Sequence, residues 1–351
     1  MRRSALLAAL PVAFAVRCTT PGLPTLDELA HKYGSGKATW SGGGLAFVGG
    51  RPDGRKDGSG HGFAHTYARA LESTRMTTKR VLEFGVYMGA SIKMWQEYFP
   101  NAEIVGVDWF AGLLGHGERF KDAHKFYDDW QAGKHGQRIQ LIEANQGLTE
   151  DLQRVVSTLR NGAAFDLIVD DASHKNKDQQ QTFGHMFPLL RPGGIYVLED
   201  LHSSLQPYDM VPASVNTTVA RFLNYEKTGS MTSPLITAAQ TAYLKRWLEG
   251  CQRIAPMSLR GLTGHRVSYS SQTSVCYKRL APVQRNKDGP GSVRTDVMPR
   301  LYNRNELKYE GRDKALPTIL TEEQCGGARR PGVAARKPVP PTPAPSRAGH
   351  G

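Results

Sequence analysis

The 351-residue chain predicts an α/β protein with a doubly wound, mostly parallel sheet. Three observations carry that prediction. Residues 163–203 read as strand, helix, strand. Residues 80–91 read as a strand entering a helix through a glycine-rich turn. The next strand stops at an acid, Asp108. Polar clusters follow the carboxyl ends of these strands. A right-handed βαβ unit gathers such clusters on one sheet edge, where open α/β folds bind ligands.

Within 163–203, Phe165 to Val169 is apolar apart from Asp166 and suits a buried strand. It stops at Asp170-Asp171-Ala172-Ser173-His174. Phe183, Met186, Phe187 and Leu190 then share a helical face, and Pro192-Gly193-Gly194 is expected to end that helix. Ile195 to Leu198 is the second strand and stops at Glu199-Asp200. Asp171, His174, Glu199 and Asp200 are therefore expected to converge. Carboxylates crowded together repel unless a cation sits between them, and hard oxygen donors on loops favour Mg²⁺ or Mn²⁺ over zinc. Structural readings stand beside these. His174 would serve as a backbone-bonded residue at a helix start, Glu199-Asp200 as solvated loop acids, and Asp170 as a cap or a group facing the cofactor. His185, mid-helix, reads as structural, and His202 is left without a required role.

Composition is that of a globular chain. The net charge of +13 invites a nucleic-acid reading, but eight of those charges lie in two acid-free ends, the first 26 residues and residues 325–351. The charge is a property of the tails, so no nucleic-acid partner is expected. Cys18, Cys251, Cys276 and Cys325 show no zinc or redox spacing and fit free thiols, without excluding disulfides. Residues 1–24 carry Arg2, Arg3 and an Ala-rich apolar run, compatible with a secretory signal, an organellar targeting segment or an untargeted start. The run is too short for a stable membrane span.

Folded structure is expected from Leu26. Asp27 to Tyr33 reads as a short helix closed by Gly34, and residues 41–60 as a Gly-rich loop. His61-Gly62-Phe63 leads into a helix ending near Thr74. Val81 to Phe84 is a strand, and from Ser91 onward Ile92, Trp95 and Phe99 keep helical spacing. Between them, Gly85 and Gly89 allow close approach of the backbone to a nucleoside, beside the free N–H groups of a helix start. Glu103 to Val107 ends at Asp108, placed to accept both hydroxyls of an adenosine ribose. Residues 138–143 are a third strand, followed by Asn145-Gln146 where an adenine amine would be read. The dinucleotide pattern G-x-G-x-x-G is absent, which argues against NAD. Residues 109–136 suggest a helix or lid of their own. Helical patterns follow at 216–225 and 234–251, and Arg266 to Tyr269 with Thr273 to Tyr277 reads as a final hairpin.

On LAHKYGSGK (29–37), HGF (61–63), VLEFGVYMGAS (81–91), GVD (106–108), IVDDASH (168–174) and RPGGIYVLEDLHSS (191–204), the chain from about Leu26 to Arg279 resembles class I S-adenosylmethionine-dependent methyltransferases. More narrowly it resembles the metal-dependent macrolide-sugar O-methyltransferases of the macrocin and mycinamicin type. The resemblance implies a seven-stranded Rossmann-like sheet with an N-terminal helical lid. It implies Asp171, Glu199 and Asp200 as ligands of Mg²⁺ (or Mn²⁺) and His174 as general base. Glu83, Gly85, Gly89, Asp108, Asn145, Gln146 and Asp170 would serve S-adenosylmethionine, and Tyr33 and His61 the lid over a hydroxylated acceptor. Asn145 stands where an acid is usual, though its carbonyl oxygen still accepts. The 41–60 and 109–136 segments bear on the acceptor pocket or on a homo-oligomer interface.

The expected organisation is a targeting segment at 1–24, a lid region at 25–75, the methyltransferase domain at 76–280, a polar extension at 281–324 and a disordered Pro-rich basic tail at 325–351. Two alternatives accompany the leading reading. One is a metal-independent methyltransferase acting on a phenol or amine. The other is a non-catalytic binding module that retains the fold.

Overall fold

Strands buried on both faces favour near-continuous apolar runs, and the central strands of this chain are built that way apart from a few charged positions such as Glu83 and Asp166. The computed structural model describes residues 22–38, 63–110, 121–201, 217–254 and 273–282, which fall in one unit, Gly22–Ala315. Seven strands among the described residues form one sheet: β1 (Arg80–Phe84), β2 (Glu103–Asp108), β3 (Ile139–Glu143), β4 (Phe165–Asp170), β5 (Leu190–Leu198), β6 (Leu248–Ile254) and β7 (Thr273–Lys278). Their order is β3-β2-β1-β4-β5-β7-β6. The first five pair in parallel, whereas β7 runs antiparallel to β5 and β6 antiparallel to β7. The order reverses between β1 and β4, so the ligand crevice of a doubly wound sheet belongs outside their carboxyl ends.

Alternation along each strand divides the core in two. Val81, Ile104, Leu167 and Ile195 face a cluster with α1 (Leu26–Tyr33), α2 (Phe63–Leu71), α3 (Ala90–Tyr98) and α4 (Lys121–Gln131). Leu82, Val105, Ile168 and Tyr196 face a cluster with α5 (Thr149–Leu159), α6 (Asn176–Met186), α7 (Thr218–Thr228) and α8 (Ala238–Trp247). The first layer is anchored by Trp95, fully buried, with ring centroids 5.9 Å from Phe99 and 6.0 Å from Tyr67. Truncating such a residue to Ala costs about 3–5 kcal/mol.

α1 shows local sequence and tertiary contact agreeing. Thr25 and Glu28 form a capping box, and Gly34 in the left-handed region closes the helix. Lys32 pairs with Glu97 at 2.6 Å, and the Tyr33 hydroxyl donates to the same carboxylate. Both contacts tie α1 to α3. Residues 1–21, 39–62 (with His61 and the Gly-rich insert), 111–120, 202–216 (with His202), 255–272 and 283–351 lie outside the described residues. No helix among the described residues is long and apolar enough to cross a membrane.

Three expectations are corrected. The helical pattern over 234–251 stops at Trp247, and Leu248–Ile254 is β6. Pairing with β7 decides that conformation, because strand preference follows cross-strand neighbours more than local sequence. Among the described residues β7 therefore lies between β5 and β6, while 266–269, its expected hairpin partner, lies outside them. Cys251 stands opposite Cys276 in that ladder and is joined to it by a disulfide, with Cα atoms 4.0 Å apart. The free-thiol reading fails for this pair, which sequence spacing alone cannot reveal; Cys18 and Cys325 are outside the described residues. Finally, Pro192-Gly193-Gly194 does not end the helix. α6 ends at Met186, a 3₁₀ turn covers Phe187–Leu189, and the Pro-Gly-Gly lies inside β5 where the pairing with β4 shifts register. A bulge admits Pro and Gly without breaking the ladder elsewhere.

Candidate active site

The turn after β1 and the tip of β4 touch. Gly85 has φ +93, and a Cβ there would lie 2.0 Å from the carbonyl oxygen of Asp171. Only glycine permits that approach, so Gly85 is required by the protein's own backbone before any ligand is considered. Asp108, at the tip of β2, ties the same turn from the other side. Its Oδ2 accepts the N–H groups of Val86 and Tyr87, each at 2.8 Å, and its Oδ1 accepts that of Trp109 at 2.7 Å. Burial pushes the Asp108 carboxyl up, against these donors. Gly89 makes its own close approach: a Cβ there would meet the ring of Phe126 at 2.3 Å.

These tips surround a cavity of about 700 Å³. Its walls include Tyr33 to Lys37 from the N-terminal segment, Gly85 to Met88, Asp108-Trp109, Asn145-Gln146, Asp171 to His174, and Glu199-Asp200. Three expected cofactor residues stand behind the wall. Glu83 is fully buried, accepting from the Ser91 hydroxyl at 2.7 Å. Gly89 packs on Phe126, as above. Asp170 is also fully buried and accepts from Gln146 Nε2 at 2.6 Å; burial pushes its carboxyl up to about 7. The other end of Gln146 accepts the Ser173 N–H at 3.0 Å, and Asn145 Oδ1 accepts that of Gly147 at 2.9 Å. Both amides thus brace the loops around the cavity.

At the β4 and β5 tips, Asp171, His174 and Asp200 each offer one ligand atom, all within 4.8 Å of one another. His174 Nε2 lies 3.1 Å from Asp171 Oδ1 and 3.5 Å from Asp200 Oδ2. His174 (φ 58) and Asp200 (φ 52) are left-handed, as is Tyr87 (φ 49) at the β1 turn. The left-handed region is uncommon outside glycine, though His and Asp enter it more readily than most. Three such residues around one cavity are the pattern expected where backbone conformation serves a site. Burial lowers the His174 imidazole, but its bond to Asp171 and the charges of Asp171, Asp200 and Glu199 outweigh it, to about 9.

Glu199 turns the other way. The sequence reading missed the residue it meets, Lys37. The Lys37 side chain is 3% exposed, with Nζ 2.6 Å from Asp171 Oδ2, 2.6 Å from Glu199 Oε1 and 3.2 Å from Glu83 Oε1. Burial alone would depress this lysine, yet Asp171, Glu199 and Glu83 hold its ammonium well above the ordinary value. Asp171 pays for burial too, but Lys37 and His174 keep its carboxyl below the usual range. Glu199 is raised by burial and by Asp171, against the pull of Lys37. The signal was present in the sequence, since Lys37 closes the quoted LAHKYGSGK stretch. What was missing was any local reason for a lysine 134 residues from Asp171 to reach it. His185, read from the sequence as structural, has its Nδ1 2.8 Å from the Gln181 carbonyl oxygen.

The carboxylates of Asp171, Asp200 and the neighbouring Glu199, hard oxygen donors on the loops after β4 and β5, suit a divalent metal ion, with the His174 imidazole beside them.

Residues 82–201 match the family described as methyltransferase domain. The chain is 33% identical over 210 residues to the L-olivosyl-oleandolide 3-O-methyltransferase of Streptomyces antibioticus, covering 58% of this chain and 44% of that protein. It is 32% identical over 135 residues to the mycinamicin VI 2''-O-methyltransferase of Micromonospora griseorubida, covering 36% of this chain and 28% of that protein. The chain thus spans less than half the length of these curated relatives. Among solved structures, the MycE methyltransferase from the mycinamycin biosynthetic pathway in complex with Mg and SAH aligns at 23% identity and a TM-score of 0.46. The alignment covers 73% of this chain and 55% of that chain.

Proposed function

We infer that this chain, whose residues 82–201 match the family described as methyltransferase domain, is an S-adenosylmethionine-dependent O-methyltransferase of the class I type. Its acceptor is a hydroxyl of a sugar or other vicinal-diol natural product, and a divalent cation, Mg²⁺ or Mn²⁺, assists. The relatives named above as O-methyltransferases support the transfer to oxygen. One observation carries the metal-assisted reading: Asp171, His174 and Asp200 meet within 4.8 Å on the wall that also holds Gly85 and Asp108. We take 76–280 as the catalytic domain and 25–75 as the segment that covers it.

Methyl transfer needs an oxygen nucleophile aligned with an already activated methyl group, so positioning supplies much of the rate. Asp108 retains acceptor capacity beyond its three backbone donors, because a carboxylate offers about four lone-pair sites. It and the Gly85 turn would hold the nucleoside, with Asn145 and Gln146 framing the base. Asp171, Asp200 and Glu199 would hold the cation, which when bound lowers the pKa of neighbouring hydroxyls and fixes their orientation. His174 would take the hydroxyl proton, with Asp171 and Asp200, which face its Nε2, holding the ring beside the cation. Tyr33 contributes to the cover over the acceptor, and His61 is assigned to the same cover from the sequence alone.

The test is calorimetric titration of the full chain with S-adenosylhomocysteine and Mg²⁺. Micromolar binding that weakens in Asp108→Ala is expected, followed by chelator-sensitive methylation of diol acceptors. Absence of binding by a folded sample refutes the reading. One observation favours a second reading, in which no metal takes part: the Lys37 ammonium already lies among Glu83, Asp171 and Glu199. That reading expects activity to survive chelation.

A further inference from the structure

The ammonium of Lys37 touches two of the three carboxylates that the proposed function gives to the metal. Asp171 is shared by its two oxygens: Oδ2 faces Lys37 at 2.6 Å, and Oδ1 faces His174 at 3.1 Å. Glu199 and Asp200 are neighbours in sequence but diverge. Glu199 turns to Lys37, and the left-handed Asp200 turns to His174. Glu83, the third partner of Lys37, lies behind the cavity wall on β1, its Oε1 3.2 Å from the ammonium. The backbone assists: the Lys37 carbonyl accepts the Ala64 N–H at 2.8 Å, fastening the segment to the start of α2.

We propose that Lys37 is a resident counter-ion of this cluster, a positioning residue that competes with the divalent cation for Asp171 and Glu199. The inference rests on the metal reading given above. A buried monovalent cation beside a divalent site acts in two ways. It holds the carboxylates apart and in place when no metal is bound. It also opposes metal entry, because like charges a few ångströms apart inside a protein are poorly screened. The site is thereby tuned to a weaker, exchangeable cation than its carboxylate count would otherwise give. The N-terminal segment bearing Lys37 is coupled to metal occupancy through the same contact.

The experiment is Mn²⁺ binding, read by electron paramagnetic resonance of free Mn²⁺ and by calorimetry, on the full chain and two variants. Lys37→Met keeps the length of the side chain and removes the charge. It should bind Mn²⁺ at least about tenfold more tightly than the native protein. Its thermal stability should fall without metal and recover with it, a response that a merely structural loss would not show. Lys37→Gln also removes the charge but keeps a polar end, so Mn²⁺ binding should tighten there too. This second variant keeps the test decisive if Lys37→Met fails to fold. Mn²⁺ binding that is unchanged or weakened in whichever of the two variants folds overturns the role of Lys37 and leaves the metal reading standing. Absence of Mn²⁺ binding by the native chain and both variants overturns the metal reading itself.

Discussion

Gly85→Ala separates a glycine required by the protein's own backbone from one kept for a ligand. At φ +93 the new Cβ would stand 2.0 Å from the Asp171 carbonyl oxygen and 2.9 Å from the Ala172 Cα. Both obstacles are backbone atoms at the end of a central strand, so neither can swing aside as a side chain would. The positive φ costs about 1–2 kcal/mol, and forced overpacking adds about 1–3 kcal/mol. The expected loss is therefore about 2–5 kcal/mol, a large part of a typical domain's stability. Gly133→Ala is the control, because Gly133 has φ +76 with nothing within 4 Å of its would-be Cβ. It pays the conformational cost alone, about 1–2 kcal/mol. Urea unfolding of both variants without ligand measures the difference. Equal losses would refute the contact between the β1 and β4 tips as the reason for Gly85.

Other outcomes follow from the same structure. Lys278 is buried, donates to the Pro188 and Leu190 carbonyls, and burial lowers its ammonium to about 8. The folded state then gives up this proton before the unfolded state does, so this group's contribution to stability rises as pH climbs from about 8 toward 10.5. The gain is at most about 3 kcal/mol, and a pH slope of unfolding identical in Lys278→Met would contradict it. Reducing the Cys251–Cys276 bond, whose partners are 25 residues apart, should cost about 3 kcal/mol; an unchanged melting temperature in reductant would count against it. In the metal-free protein, His174 should titrate near 9 by NMR, with its stabilising contribution intact below its ordinary value near 6.5 and lost as pH rises through 9. Titration below 7 would remove its pairing with Asp171 and Asp200. His174→Ala should lower turnover about 10²–10⁴-fold while S-adenosylhomocysteine binding persists, and full activity would dismiss it as the base.

The sequence by itself determined the parallel half of the sheet. Apolar runs at 81–84, 103–107 and 165–169 stop at charged or glycine residues, and that local pattern suffices where both strand faces are buried. It also placed Asp171, His174, Glu199 and Asp200 on one edge, because right-handed crossovers leave little choice, but not the turn of Glu199 toward Lys37. Tertiary structure decided what depends on distant pairing. LEGCQRI at 248–254 has no strand pattern of its own and becomes β6 only against β7, which also brings Cys251 to Cys276. Lys37 is the clearest case. Nothing near it in the chain marks a buried cation, since its three carboxylate partners come from the ends of three different strands. Only the folding of the N-terminal segment over the β1, β4 and β5 tips gives that lysine its charge partners.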